Sequence, residues 1–415
     1  MKKIGFLFAL ALLGGSTASA QKKNFDYKFY GQIRADLLYN TRSNSESVDG
    51  LFYMYPKDEN LDPNGKDLNG VASGNFYTVY SRVGMDVKGP KIGKSIRPSA
   101  KIEVDFRGSG TNLFMIRLRH VYFNLDFKQH SSLLVGQTWH PFYGEVAPDV
   151  MNLNMGAPYQ PFSRAPQVRY RLRKNHFQLT ASALWQSQYL PVGPKDNKVG
   201  TTATQKSNQF IKNSMTPEFH IGLDYKSPHW IAGVGAEVMS LTPRATSLIN
   251  GTEYRVHERL TSVSYEAHLK YNKNSFLFAA KSVFGANLTQ TSTVGGYGIT
   301  QTDPVTGEQE YAPLRTSHIW VNLMYGKKFR GGVFGGYLKN LGATEKVSGI
   351  LGTGTNLDQL ATVSAEFSYN LPHWKFGVEY SYCNAWYGSN NEKGKVVDTH
   401  TVDNHRIVAV ALFQF

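Results

Sequence analysis

Basic side chains recur at every second position in several stretches of this 415-residue chain. Arg97, Lys101 and Arg107 share one parity, with Glu103 and Asp105 between them. Arg117 and Arg119 form a second set, Arg169, Arg171 and Arg173 a third, and Arg82 stands in an earlier stretch. A spacing of two puts side chains on one face of a strand. A face of guanidinium and ammonium groups supplies N–H donors to phosphate or carboxylate that has shed water, so it selects anions. Glu103 and Asp105 offer the competing reading, in which they neutralise Arg97, Lys101 and Arg107 and the wall is merely solvated. Acidic residues of equivalent parity follow later, at Glu218, Asp224, Glu237, Glu266, Glu366 and Glu379. If one closed sheet carries all of them, a basic wall faces an acidic wall.

The elements that position these residues read as amphipathic strands. In Arg97–Arg107 the polar face opposes Ala100, Ile102, Val104 and Phe106. In Asp26–Tyr39, Lys28, Gln32, Arg34 and Asp36, with Tyr30 among them, oppose Tyr27, Phe29, Ile33, Ala35, Leu37 and Tyr39. Segments 218–226, 262–271 and 374–382 repeat the pattern. Alternation over about ten residues is what a membrane β-barrel requires, because lipid and lumen alternate along each strand and every backbone group must be paired. About sixteen such segments run from 26–41 to 404–415. The Gly-rich segment 330–341 is the weakest of them. The segment 112–127 changes phase near His120, which reads as a β-bulge.

Connections alternate in length. Long polar stretches lie near 41–75, 140–164, 187–215, 242–258, 287–313, 342–358 and 387–403, and tight links such as 89–95, 128–130 and 174–175 lie between them. Long outer loops and short periplasmic turns are the habit of outer-membrane barrels. Pro228-His229-Trp230 and Pro372-His373-Trp374 are matching turns that place Trp at headgroup depth. An even strand count puts both ends of the barrel in the periplasm.

Residues 1–20 read as a cleaved secretory signal: Lys2 and Lys3, an apolar run from Ile4 to Leu13, and Ala18-Ser19-Ala20. The barrel is then residues 21–415. No later run approaches the roughly 18 apolar residues of a membrane helix. Cys383 is the single cysteine, so no intrachain disulfide forms. The formal net charge of +14 and pI near 9.5 do not point to nucleic acid, because the basic residues alternate along strands and face inward.

The last strand ends Leu412-Phe413-Gln414-Phe415, with Ile407, Ala409, Ala411, Phe413 and Phe415 in alternation. Here the sequence resembles the Gram-negative outer-membrane proteins, whose terminal aromatic is read by the barrel-assembly machinery. Val408, Val410 and Leu412 make the opposite face unusually apolar for that pattern. The opening Phe29-Tyr30-Gly31-Gln32-Ile33-Arg34-Ala35-Asp36 resembles general and substrate-selective porins, in particular the porin-like proteins of Bacteroidota and the DcaP-like group. That resemblance implies a sixteen-stranded homotrimer in the outer membrane, surrounded by its lipid. It implies water-filled pores, passive diffusion of small hydrophilic solutes, and no cofactor. It also implies that loop 140–164 folds inward to constrict the pore, carrying Glu145 and Asp149. Its apolar members Trp139, Phe142, Tyr143, Tyr159 and Phe162 suit packing against a wall. The charge rows add a mild preference for anions.

Other functions are weighed against this one. A barrel hydrolase needs a nucleophile beside its histidine, and His220, His268 and His318 have no such motif near them. A plugged transporter needs an N-terminal plug, but alternation starts near Asp26. A closed surface adhesin remains compatible with the long loops. Asp58–Gly65 offers alternating oxygen ligands, yet Pro63 stands where a calcium loop wants Gly and Asn69 where it wants Glu, so a solvated turn-rich loop is the expectation.

Overall fold

A computed structural model describes residues 25–415 apart from 48–50, 109–111, 113 and 129. The signal segment 1–20 lies outside the described residues. The chain forms a closed antiparallel barrel of 16 strands. In chain order they are β1 (Asp26–Asn40), β2 (Ser73–Tyr77 with Arg82–Lys88), β3 (Ile96–Asp105), β4 (Arg117–Phe127), β5 (Ser131–Trp139), β6 (Arg164–Lys174), β7 (Phe177–Leu184) and β8 (Glu218–Lys226). The second half comprises β9 (Trp230–Leu241), β10 (Leu260–Lys273), β11 (Phe276–Ala286), β12 (Gln309–Gly326), β13 (Phe329–Gly342), β14 (Leu357–Leu371), β15 (Trp374–Asn390) and β16 (Val396–Gln414). Each pairs with its sequence neighbours, and β1 closes on β16 with Ile33 opposite Phe413 and Leu37 opposite Ala409. Every segment read as amphipathic from the sequence is one of these strands, the Gly-rich β13 included.

Exposure follows the two-residue period. On β14, Val363, Ala365 and Phe367 face out while Thr362, Ser364 and Glu366 are buried within. Closure removes every sheet edge, which is why the alternation survives around the whole circumference. The phase change in β4 is a bulge: Glu103 pairs with His120 and Val104 with Leu118, leaving Arg119 extra. Arg119 and His120 therefore both point inward and are buried. A break at Thr78–Ser81 in β2 drops the Tyr80 ring into the lumen, and Gln32 Nε2 donates to the Tyr80 carbonyl.

The lumen is packed rather than empty. Residues 140–163 leave β5, cross the interior and return at β6. The first loop also turns in: its hairpin, Asn44–Ser47 against Phe52–Pro56, buries Leu51, Phe52, Tyr53 and Tyr55. Leu51 and Met151, Leu153 of the crossing segment cover Val408 and Val410 of β16 together with Leu38, Tyr77 and Tyr80. That cover is the physical reason the inner face of the last strand is apolar.

Candidate functional site

The crossing segment is fixed at both stems and at its far reach. At its start His140 is fully buried; its Nε2 meets Glu218 of β8 and, at 3.1 Å, Glu237 of β9. The Phe142 N–H lies 3.1 Å from His140 Nδ1, which leaves Nε2 facing the two carboxylates. The three side chains lie close enough to ligate a cation, and in this arrangement the imidazole Nε2 meets the carboxylates directly. Lys281 of β11 donates to the carbonyls of Phe142 and Tyr143. On the opposite wall, Asp149 pairs with Arg330 at 2.6 Å, and Glu379 accepts the N–H groups of Met151 and Asn152 at 2.6 and 3.2 Å. Trp320 Nε1 donates to Gln160 at 2.8 Å, and the Tyr159 hydroxyl lies 2.7 Å from Thr362 Oγ1. The segment thus spans from β5 and β6 to β12–β15. The later acids Glu218, Glu237 and Glu379 are spent holding it.

Two cavities flank this span. The one on the periplasmic side is about 560 Å³ and is lined by Tyr30, Arg34, Arg82, Lys101, Arg119 and Met151, among others. The one on the extracellular side is about 330 Å³ and is lined by Phe52, Arg107, Arg117, Tyr189 and Lys206, among others. Between them sit stacked rings. Trp139 stacks on Tyr143 at 4.0 Å between centroids, and Phe162 meets Trp139, Phe52 and Tyr189 at 5.1, 5.0 and 5.6 Å.

Arginines surround the rings. Arg117 makes a fork with Asp105, at 3.0 and 2.6 Å. Arg119 bridges Glu103 at 2.6 Å and Asp105 at 2.9 Å, and its guanidinium stands 5.4 Å from the Tyr80 ring. Arg82 reaches Gln32 at 2.8 Å and Glu103 at 3.8 Å. Lys101 pairs with Asp86 and donates to the Tyr30 hydroxyl, both at 2.8 Å. Arg107 lies past the end of β3, buried, 5.0 Å from the Phe52 ring. Glu103 and Asp105 therefore bind Arg82, Arg117 and Arg119, while Lys101 turns to Asp86 and Arg97 is exposed at the end of its strand. Which cation an acid meets depends on the cross-strand register, which sequence spacing along one strand does not contain.

The remaining expected residues are dispersed. Arg169 donates to the Trp139 carbonyl at 2.6 Å and supports the stem of the crossing segment. Arg171 lines a small cleft with Arg169, Glu145 and His220. Glu145 pairs with Lys226 at 2.6 Å. Arg97 and Arg173 are exposed at the periplasmic ends of their strands, away from the rings; Arg173 donates to Gln178 at 3.0 Å.

Two further arginines belong to the site. Arg34 forms a pair with Asp36 at 2.7 Å and donates to the Met151 carbonyl at 2.6 Å. Arg164 is fully buried, lies 4.4 Å from the Trp139 ring, and donates Nε–H to Gln188 at 2.7 Å. Its two terminal nitrogens have no partner among the described residues. The signal for Arg34 was its place on the polar face of the first strand. Arg164 sat at the edge of the loop, where parity could not be assigned. In the loop at 58–65, Asp62 accepts from Asn64 and Lys66, each at 2.8 Å, and Asp58 meets His400 at 2.6 Å. Burial pushes the Asp67 carboxyl up, but the N–H groups of Asn60 and Asn69 and the Arg42 guanidinium hold it below its ordinary range.

Comparison with known proteins places this architecture. Residues 15–188 match the family model of the DcaP outer membrane protein. Among solved structures, the outer membrane channel DcaP of Acinetobacter baumannii is similar with a TM-score of 0.64 at 16% identity, covering 95% of this chain and 98% of that one. OmpT of Vibrio cholerae in its trimer form gives 0.56 at 12% identity, covering 94% and 100%. An anion-selective porin from Comamonas acidovorans gives 0.51 at 8% identity, covering 94% and 100%. No curated protein matches the chain. The chain is a barrel of the outer-membrane porin fold whose residues 15–188 carry the match to the DcaP outer membrane protein family.

Proposed function

We propose that this protein is an outer-membrane porin that passes small hydrophilic solutes by diffusion, with a mild preference for anions, and that residues 1–20 direct its export. The observation that carries the selectivity is a charge imbalance at the rings. Arg34, Arg82, Arg117 and Arg119 meet the carboxylates of Asp36, Glu103 and Asp105, and Arg164 stands against the Trp139 ring with its terminal nitrogens unpartnered among the described residues. Five cations against three anions leave a positive surplus beside the stacked rings. A partly neutralised wall of this kind biases anions without binding them tightly. The segment 140–163, with Phe162 and Tyr143, acts as the constriction, and Glu145 and Asp149 serve as its fasteners. The DcaP match and the anion-selective porin among the similar structures support the same reading, and the trimer of OmpT supports assembly as a homotrimer.

A salt gradient across a planar bilayer tests the proposal. The expected reversal potential has the sign of anion preference and shrinks when Arg82 and Arg164 are replaced by Gln. Cation preference of the unaltered protein overturns it. Liposome swelling in sugars separates this pore from a closed adhesin barrel, which would not swell.

A further inference from the structure

The periplasmic rim of the barrel carries charge that the pore does not use. The seven short turns are 89–95, 128–130, 175–176, 227–229, 274–275, 327–328 and 372–373, and their sequences hold no Asp or Glu. Lys91, Lys94 and Lys128 lie in these turns, as do Lys327 and Lys328. Lys174 and Lys273 are the last residues of β6 and β10. None of the seven has a carboxylate within ion-pair distance among the described residues. Lys88 and Lys226 differ, because they are matched to Asp26 at 3.3 Å and Glu145 at 2.6 Å. Acidic residues such as Asp58, Asp62, Asp196, Asp303 and Glu392 sit instead in the long loops at the other end.

Three of the unmatched lysines are placed on the lipid side. Lys174 shares the outward parity of Tyr170 and Leu172 and stands opposite Phe177 in register. Lys273 shares the outward parity of Tyr265 and Ala267 and stands opposite Phe276. Lys328 Nζ lies 5.5 Å from the centroid of Tyr369, an outward residue of β14 that packs on Phe329 at 5.1 Å. The first residues of β7, β9, β11, β13 and β15 are Phe177, Trp230, Phe276, Phe329 and Trp374, an aromatic ring that marks the headgroup boundary. A lysine just beyond that ring stands at phosphate depth, with its stem along the apolar wall. Ammonium groups lying along the outer wall beside aromatics suit lipid better than a soluble periplasmic protein, which would be met by groups aimed down the barrel axis.

We propose that Lys174, Lys273 and Lys328, each beside an aromatic ring, form a collar that binds the phosphodiester headgroups of anionic phospholipid at the periplasmic rim. Matched acids are missing there because the membrane supplies the anions. The full protein, purified in detergent and offered equal phosphatidylglycerol and phosphatidylethanolamine, is read by native mass spectrometry. The expected result is preferential retention of phosphatidylglycerol, falling about fivefold for each lysine changed in a Lys174→Ser, Lys273→Ser, Lys328→Ser series. The triple Arg variant should restore the preference. Lys195→Ser, Lys198→Ser, Lys212→Ser, in an outer loop, should leave it unchanged. Equal retention of the two lipids, a triple Ser variant that keeps the preference, or an equal loss in the outer-loop variant overturns the proposal.

Discussion

Glu379, on β15, accepts the backbone N–H of Met151 at 2.6 Å across the interior of the barrel. The acidic wall and the crossing segment are therefore one construction, not a charged surface facing a separate loop. Removing the acceptor with Glu379→Ala leaves two buried N–H groups unpaired, a loss of about 1.5–3 kcal/mol of anchoring. The expected outcome in single-channel recordings is a larger and noisier conductance, with folding confirmed by heat-modifiable gel mobility. A folded variant with unchanged current would show that the segment is held by its stems alone.

Selectivity should track the surplus charge rather than the number of arginines. Arg164→Gln removes a guanidinium whose terminal nitrogens meet no acceptor among the described residues. It should cancel roughly half of the excess of two positive charges and lower the anion-to-cation permeability ratio accordingly. Lys339→Gln, at a pair with Asp358 away from the rings, should leave the ratio where it was.

Asp105 serves Arg117 and Arg119 at once and is fully buried. Asp105→Ala leaves Arg117 without its carboxylate and Arg119 with Glu103 alone, and a loss of about 3 kcal/mol is expected. Thermal unfolding followed by loss of the compact gel band measures it. Asp58→Ala, at an exposed pair with His400, should cost about 1 kcal/mol or less.

Phe162 is the ring that touches Trp139, Phe52 and Tyr189 together. Phe162→Ala should join the two flanking cavities and raise conductance, at a stability cost of about 3–5 kcal/mol for a large aromatic removed from a packed cluster. Liposome swelling with sugars of increasing size would register the opening as a higher size cut-off. An unchanged cut-off would place the narrowest point elsewhere.

The strands were legible in the sequence because the two sides of the wall differ so sharply. Lipid on one face and polar lumen on the other wrote a period of two into every strand. Even the β4 bulge was visible, since a phase slip at His120 has no other cheap cause. The ends were less so: β12, β15 and β16 extend beyond the membrane into the loop layer, where both faces meet protein or water and alternation fades. The ion-pair partners were not legible at all. Arg119 meets Glu103 and Asp105 because β3 and β4 are staggered by one residue at the bulge, a relation between strands rather than along one. The inward turn of the first loop did leave a trace, Leu51-Phe52-Tyr53-Met54-Tyr55-Pro56, an apolar run too rich for a stretch bathed in solvent.

The crossing segment lies between β5 and β6, yet its fasteners come from strands made much later. Gln160 waits for Trp320, Asp149 for Arg330, and Met151 for Glu379, separations of 160, 181 and 228 residues. Contacts that distant carry a large loop-closure cost and form late. The interior can therefore not be furnished before the wall is nearly whole. The Arg34 side chain of β1 also holds the Met151 carbonyl, so the strand that closes the cylinder on β16 is itself tied to the contents of the lumen.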